Sequence, residues 1–310
     1  MINLSEFTFL SSDGVTALHT MEWTGAAPRA ILQLVHGVSE HISRYDDFAR
    51  FLAAQGFVVV GHDHLGHGAS VAQGDTPIFF REENGWDKAV DDVYALSRLT
   101  RGKYPALPYF LLGHSMGSFL TRTLLIRYPD AADGAILMGT GWNSEIAITG
   151  GRLVTTVLGA LQGKRATSKF VTDLAFGGYS KAFAPNRTGF DWVAAEEASV
   201  DRYIADPLCG QDATIGLFHD MLGGFRFNQK AKNVQKMRKN APILLISGGD
   251  DPVGAMGKGV EQTRDAFLAA GMQQVSTILY PGLRHEILNE TAHRQTVYGD
   301  LLHWLEDRLG

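Results

Sequence analysis

The segment YFLLGHSMGSFLTRTLLIRYP, residues 109–129, constrains the fold more than any other part of the chain. An apolar run leads directly into Gly-His-Ser-Met-Gly, with its serine at position 115, and an apolar pattern at helical spacing follows at once. A serine between two glycines at the junction of a buried strand and a helix is typical of a nucleophile elbow. Such a turn exposes the hydroxyl over the positive end of the helix. We therefore predict that Ser115 is a catalytic nucleophile.

Apolar runs of strand length alternate with helical patterns along most of the chain. The clearest strand candidates are RAILQLVHG, FVVVGHD, PYFLLG, GAILMG, APILLISGG and VSTILYPG. Continuously apolar strands separated by helices predict a mostly parallel central sheet that is flanked by helices on both faces. Two earlier candidates, EFTFLSS and VTALHTMEW, flank a Ser-Asp-Gly turn and predict a hairpin.

The alternation stops for about 100 residues in the middle of the chain. The segment from about Trp142 to Lys239 contains apolar patches at helical spacing but no clear buried strand. Structureless loops of that length are rare inside compact domains, so we predict an inserted helical cap. The predicted division is a core at residues 1–143, a cap at 144–239 and the second part of the core at 240–310.

A serine hydroxyl needs a histidine to take its proton and a carboxylate to orient that histidine. After an elbow of this type, the acid and then the histidine follow the serine along the chain. The histidines that follow Ser115 are His219, His285, His293 and His303. Only His285 follows a predicted strand in a loop at the same end of the sheet as Ser115, and we predict that it is the base.

The acid is expected at the end of the preceding strand, in ILLISGGDDPVG. Both Asp250 and Asp251 stand there, and their positions alone do not separate them. The oxyanion that forms during acyl transfer also needs two N–H donors. The residue after the serine supplies one, Met116, and the loop after an early strand supplies the other. In HGVSEH, residues 36–41, we predict the N–H of Val38 because it follows the His-Gly turn.

Composition and charge exclude several classes of protein. The net charge is -5, and the densest basic run, residues 228–239, favours a solvated helix over a nucleic-acid site. The single cysteine, Cys209, excludes an intrachain disulfide and a cysteine-based metal cluster. The amino-terminal residues show no signal-peptide pattern, and no apolar run approaches membrane-span length, so we expect a cytoplasmic protein.

A histidine-rich segment, GHDHLGHGAS at residues 61–70, raises the question of a metal site. Its candidate ligands are His62, Asp63, His64 and His67. Metal-binding histidines need a defined open geometry and supporting hydrogen bonds, and no further ligand group is evident. We predict a polar loop that packs under the elbow, and neither a metal nor a cofactor.

The chain resembles the monoglyceride lipase and lysophospholipase branch of the α/β-hydrolases, of the serine aminopeptidase S33 type. The resemblance covers nearly the whole chain. Its most specific segments are residues 36–70, LLGHSMGS, ISGGDDPVG and YPGLRHEILNE. The family pattern Gly-x-x-Asp falls on Asp251, so the resemblance implies that Asp251 is the acid. It also implies His285 as the base and Val38 and Met116 as the oxyanion donors.

The residues and the resemblance together predict a serine hydrolase that cleaves carboxylic esters with an apolar acyl chain, most plainly monoacylglycerol or lysophospholipid esters. A carboxylesterase for short or non-lipid esters, a serine aminopeptidase and a non-catalytic binding protein of the same fold are the alternatives. Cap aromatics offer an acyl pocket: Phe176, Phe183, Phe190, Trp192, Phe218 and Phe225. The cap segment 152–161 is expected to be an amphipathic helix that packs on the core or, alternatively, makes transient contact with a lipid surface. The sequence does not fix the oligomeric state.

Overall fold

The computed structural model describes residues 1–309 of the chain. Its strands form one sheet of eight strands within this range, in the order β1-β2-β4-β3-β5-β6-β7-β8. Their bounds are β1 Asn3–Leu10, β2 Ala17–Thr24, β3 Ala30–Val35, β4 Phe57–His62, β5 Tyr109–His114, β6 Gly134–Met138, β7 Ile243–Gly248 and β8 Val275–Tyr280. Strand β2 is antiparallel to both β1 and β4, and every other pair is parallel. The prediction of a hairpin followed by a mostly parallel sheet is confirmed.

The central strands are buried on both faces, which explains why they are continuously apolar. Successive side chains of a strand point to opposite faces. In β3, Ile31 and Val35 join one buried apolar cluster, whereas Leu32 and Leu34 join a second cluster on the other face. A sheet of this kind is stable only when helices cover both faces.

The helices supply that cover. Their bounds are α1 Asp46–Ala54, α2 Gly85–Lys103, α3 Met116–Arg127, α4 Glu145–Gln162, α5 Lys169–Lys181, α6 Glu197–Ala205, α7 Ile215–Gln229, α8 Ala231–Val234, α9 Lys258–Ala269 and α10 Arg294–Glu306. Helices α1 and α10 pack on one face of the sheet through residues such as Phe48 and Leu301. Helices α2, α3 and α9 pack on the other through residues such as Val90, Leu120 and Phe267.

Five helices, α4 to α8, lie between β6 and β7, where the sequence loses its strand pattern. Helix α7 packs on α3 through Phe119 and Phe225, whose ring centroids are 4.3 Å apart. The assignment of 144–239 as a separate domain stays a prediction. The predicted solvated helix at 228–239 is wrong, because α7 ends at Gln229 and α8 is only four residues long. Asn228, Val234 and Met237 in this run are buried.

Among the described residues, no helix combines the length and the apolar character needed to cross a membrane.

Candidate active site

Ser115 stands in a sharp turn between β5 and α3. Its φ is 51° and its ψ is -122°, a conformation that non-glycine residues rarely adopt. A Cβ on Gly117 would overlap the carbonyl oxygens of Val35 and His36, and one on Gly113 would overlap the carbonyl oxygen of Gly117. The two glycines are therefore required by close backbone approach, and the turn has the geometry that the sequence pattern predicts. Ser115 is only partly buried, although its neighbours in α3 are buried.

His285 and Asp251 meet on the same side of the sheet as Ser115. Nδ1 of His285 lies 2.9 Å from Oδ2 of Asp251, and both side chains are buried. Asp251 also accepts hydrogen bonds from the hydroxyl of Ser247 at 3.0 Å and from the N–H of Val253 at 2.9 Å. Asp250 is exposed. The structure thus places Asp251, and not Asp250, against the histidine.

The environment of Asp251 favours its charged form. Burial opposes the charge, but the interaction with His285 and the hydrogen bonds from His285, Val253 and Ser247 outweigh it and hold the pKa of Asp251 below its ordinary value. A carboxylate that stays ionised against Nδ1–H fixes the tautomer of the imidazole, which leaves Nε2 free to accept a proton.

Ser115 and His285 line the same cavity, which has a volume of about 530 Å³. Among the hydrogen bonds of residues 1–309, none joins the hydroxyl of Ser115 to His285. Hydrogen bonds between a nucleophile and its base are often long without substrate and tighten when it binds. The other candidate histidines lie elsewhere: His219 contacts Thr155, while His293 and His303 are exposed at α10.

Val38 and Met116 both line the cavity beside Ser115. A Cβ on Gly37 would come within 3.1 Å of the Cβ of Ser115, so the loop that carries Val38 lies against the serine. Met116 is the first residue of α3, where N–H groups have no partner inside the helix. Within the described chain, neither N–H donates to a backbone or side-chain acceptor. Both N–H groups are thus available to an oxygen atom near Ser115.

The histidine-rich segment packs beneath this loop. His62, His64 and His67 are buried, and the ring of His64 lies 4.1 Å from that of His36. Burial lowers the pKa of His62 and of His67 to about 3, so both are neutral at physiological pH. Within residues 1–309, one group of side chains has potential metal-ligating atoms within 4.8 Å of one another. It consists of His41, Asp206 and Cys209, and includes none of the histidines of this segment.

A buried polar network lies beside the site, and it was not predicted from the sequence. Glu40, Arg44, His114 and Glu286 join in it through direct hydrogen bonds. Two of its members adjoin predicted site residues, since His114 precedes Ser115 and Glu286 follows His285. Charged residues directly next to the base and in the HGVSEH loop were the available signal.

Helices α4, α5 and α7 form the apolar wall of the cavity, with Val154, Leu174 and Met221 among the lining residues. Of the predicted acyl-pocket aromatics, four line it: Phe176, Trp192, Phe218 and Phe225. The prediction is wrong for the other two. Phe183 packs under the guanidinium of Arg284, and Phe190 packs on Tyr203, so both rings are used elsewhere.

The order of the sheet and the position of the serine turn define the protein as an α/β-hydrolase. The family model Hydrolase_4, described as serine aminopeptidase S33, matches residues 26–292. The chain therefore belongs to this family, and within it to the branch that resembles monoglyceride lipases, as the sequence motifs predict.

Relatives along the full length support this placement. A monoacylglycerol lipase of Mycolicibacterium smegmatis is 27% identical, and the match covers 98% of each chain. The human monoglyceride lipase is 25% identical over 91% of this chain and 84% of its own length. A solved carboxyl esterase from Bacillus coagulans, in complex with glycerol, superposes with a TM-score of 0.92 at 26% identity and covers 99% of both chains. Fold and relatives together make the protein an ester hydrolase of the α/β-hydrolase type.

Proposed function

We propose that the protein cleaves carboxylic esters through an acyl-enzyme formed on Ser115, with His285 as base and Asp251 as the acid that orients it. The observation that carries the proposal is the cavity that Ser115 shares with His285, whose Nδ1 lies 2.9 Å from Asp251. Nucleophile, base and orienting acid are the three parts that serine catalysis needs.

The mechanism has two steps. The hydroxyl of Ser115 attacks the ester carbonyl while Nε2 of His285 takes its proton, and the N–H groups of Val38 and Met116 bind the oxyanion. The alcohol then leaves with the proton from His285. Water, deprotonated by His285, attacks the acyl-enzyme and releases the carboxylic acid and Ser115.

The cavity favours a lipid ester as substrate. Its wall at α4, α5 and α7 is apolar, and polar residues, among them Glu40, Tyr203 and Glu286, also line it. A substrate with an apolar acyl chain and a hydroxylated alcohol matches a lining of this mixed composition. The names of the relatives from Mycolicibacterium smegmatis and human agree with this, so we propose monoacylglycerol or lysophospholipid-type esters.

The inserted helices also offer an apolar surface. Several large apolar side chains of α4 and α5 are exposed: Ile146, Leu153, Val157, Leu161, Phe170 and Leu174. Phe170 and Leu174 also line the cavity, as do other residues of the same helices. A surface that is apolar outside and leads to an apolar cavity inside is suited to transient contact with a lipid aggregate. We include such contact in the proposal.

The test compares initial rates on p-nitrophenyl esters from acetate to palmitate, on monoacylglycerols and on a lysophospholipid. We expect the highest rates on medium or long chains, and in Ser115→Ala a fall in kcat of about 10⁶-fold. Intact mass after treatment with a fluorophosphonate is expected to show one adduct in the wild type and none in the variant. Rates confined to acetate and butyrate would favour the short-chain carboxylesterase, and cleavage of aminoacyl amides the aminopeptidase. Absence of an adduct would favour a non-catalytic protein.

A further inference from the structure

One guanidinium joins two carboxylates beside the candidate site. Arg44 donates to both oxygens of Glu286, with Nη1 and Nη2 each 2.6 Å from a carboxylate oxygen. Nη1 also donates to Oε2 of Glu40 at 2.9 Å. The side chain of Arg44 is 11% exposed, and those of its two partners are 4% and 5% exposed. Two-point contact in such a dry environment fixes relative position much more firmly than a surface ion pair does.

Glu40 supports the loop that carries Val38. Its Oε1 accepts the N–H of Gly37 at 2.5 Å, the hydroxyl of Tyr45 at 3.0 Å and a hydrogen bond with Nδ1 of His114 at 2.8 Å. Gly37 is the neighbour of Val38 and lies against Ser115. The position of the Glu40 carboxylate therefore determines where the Val38 N–H stands relative to the nucleophile.

Glu286 supports the loop that carries the base. It directly follows His285, its carboxylate accepts a hydrogen bond from the side chain of Asn289 at 2.8 Å, and its own N–H donates to the carbonyl of Val193 at 2.8 Å. Displacement of Glu286 displaces the backbone of His285. Arg44 and Glu286 are 242 positions apart along the chain, so no local structure fixes their separation.

We propose that Arg44 is a positioning residue that sets the distance between the oxyanion-binding loop and His285. The inference rests on the proposed function of Ser115 and His285. The planar fork of arginine reaches both carboxylates at once, and a lysine ammonium has no equivalent geometry. Arg44 touches no reacting atom, and it acts through Glu40 and Glu286.

The test uses Arg44→Lys, which keeps the charge and loses the fork. Misplacement of catalytic groups by about 1 Å costs on the order of 10²-fold in rate, so we expect kcat per active site to fall by roughly that factor with little change in KM. Active sites are counted by fluorophosphonate titration, which removes the contribution of misfolded protein. An alkyl boronic acid, as an analogue of the tetrahedral intermediate, is expected to lose affinity in parallel.

Two further variants keep the test valid if Arg44→Lys folds poorly. Arg44→Met combined with Glu286→Gln removes one charge of each sign, so that fewer buried charges are left without a partner. Glu286→Gln alone keeps the size of the side chain and removes the charge-assisted pair. Both are expected to lower kcat per titrated site. The matched control is Arg50→Met, because Arg50 is exposed and pairs with Asp46 on the surface of α1.

The alternative is a purely structural role for Arg44. Variants with fewer titratable sites or a lower melting temperature, but with kcat per site and boronate affinity within about twofold of the wild type, would overturn the inference while Ser115 still takes up the phosphonate. A wild-type protein that takes up no phosphonate would overturn the proposed function and this inference together.

Discussion

Strand β5 with its serine turn and helix α4 both contribute to the cavity, yet they differ in how closely the rest of the molecule packs around them. Every residue of β5 is buried, and the glycines that flank Ser115 leave no room for a single added carbon. Helix α4 has 18 residues, of which Ile148 and Thr155 are buried, while Leu153 and Leu161 are exposed. The groups assigned to the chemistry stand on the closely packed part, whereas α4, one of the helices assigned to the acyl chain, is loosely packed.

The difference has an energetic meaning. Close-packed interiors respond strongly to small changes in volume or charge, because neighbouring groups relax only in part. Helices with few buried contacts open and shift at low free-energy cost. Substitutions in the sheet region are therefore expected to have large effects on chemistry and folding, and substitutions in α4 to have smaller effects that depend on the substrate.

The sharpest test of the closely packed region is the pair Asp251→Asn and Asp250→Asn. An amide at 251 favours the wrong tautomer of His285, so we expect kcat to fall by about 10⁴-fold with the fold retained. Asp250 is exposed, and its variant is expected to stay within about twofold of the wild type. Initial rates on a soluble p-nitrophenyl ester and circular dichroism measure both. An equal fall in kcat in the two variants would contradict the assignment of Asp251 as the acid that orients His285.

Buried histidines make the same region sensitive to acid. The pKa of His62 is lowered by burial to about 3, whereas an unfolded histidine titrates near 6.5. Below about pH 6.5 the unfolded chain binds a proton that the folded chain does not, so stability falls as the pH falls toward 3. From these two pKa values, we expect this histidine to account for about 2.5 kcal/mol of lost stability between pH 7 and pH 4.5.

The measurement is urea unfolding at pH 7.5, 5.5 and 4.5. Neither ring nitrogen of His62 has a hydrogen-bond partner within residues 1–309, so His62→Leu breaks no hydrogen bond. This variant is expected to show a shallower loss of stability with acid than the wild type. The control His303→Gln, at an exposed position, is expected to keep the wild-type slope. If the unfolding free energy of His62→Leu falls with pH as steeply as that of the wild type, the lowered pKa assigned to His62 is contradicted.

The loosely packed region is tested by filling the cavity. Val154 lines it from α4, whereas Val157 on the same helix is 48% exposed and does not. We expect Val154→Trp to lower the ratio of palmitate to acetate ester hydrolysis by roughly tenfold or more, as for other changes of pocket volume. The matched variant Val157→Trp is expected to leave that ratio unchanged. A lower ratio in both variants would mean that α4 acts through its outer face.

The smallest effect is expected on the outer face itself. Leu153→Ser with Leu161→Ser removes two exposed apolar side chains, so stability is expected to change by no more than about 0.5 kcal/mol per site. Rates on a soluble acetate ester are expected to stay the same, while rates on monoacylglycerol in vesicles fall several-fold because less apolar area enters the lipid interface. Cosedimentation with the vesicles checks the cause. Unchanged vesicle rates would exclude lipid contact through α4.

Much of the sheet region could be predicted from the sequence because its determinants are local. A buried parallel strand is a continuous apolar run, and the elbow requires glycines at fixed positions around Ser115. Element ends were less accurate: the strand candidate VTALHTMEW begins at Val15, whereas β2 spans Ala17–Thr24. Propensity changes gradually at the ends of strands and helices, so the last residues are fixed by hydrogen bonding and packing.

The remainder depends on contacts between distant parts of the chain. Asp250 and Asp251 are adjacent in sequence, and only the direction in which the chain leaves β7 brings one of them to His285. Phe183 and Phe190 are aromatic residues of the cap, like those that line the cavity, so residue type does not separate them. Phe183 packs on Arg284 and Phe190 on Tyr203, and these contacts keep both rings out of the cavity lining. No pattern within HGVSEH shows that its glutamate shares an arginine with a residue near the end of the chain.

The order of the parts along the chain has a consequence for synthesis. Ser115 belongs to β5 and α3, whereas His285 follows β8, the last strand to be made within residues 1–309. At ribosomal rates, the 170 residues that follow Ser115 up to and including His285 take roughly 10–30 s to add. During that interval the nascent chain carries the nucleophile without its base. On the proposed mechanism, a nascent chain that does not yet include a folded His285 therefore has no esterase activity.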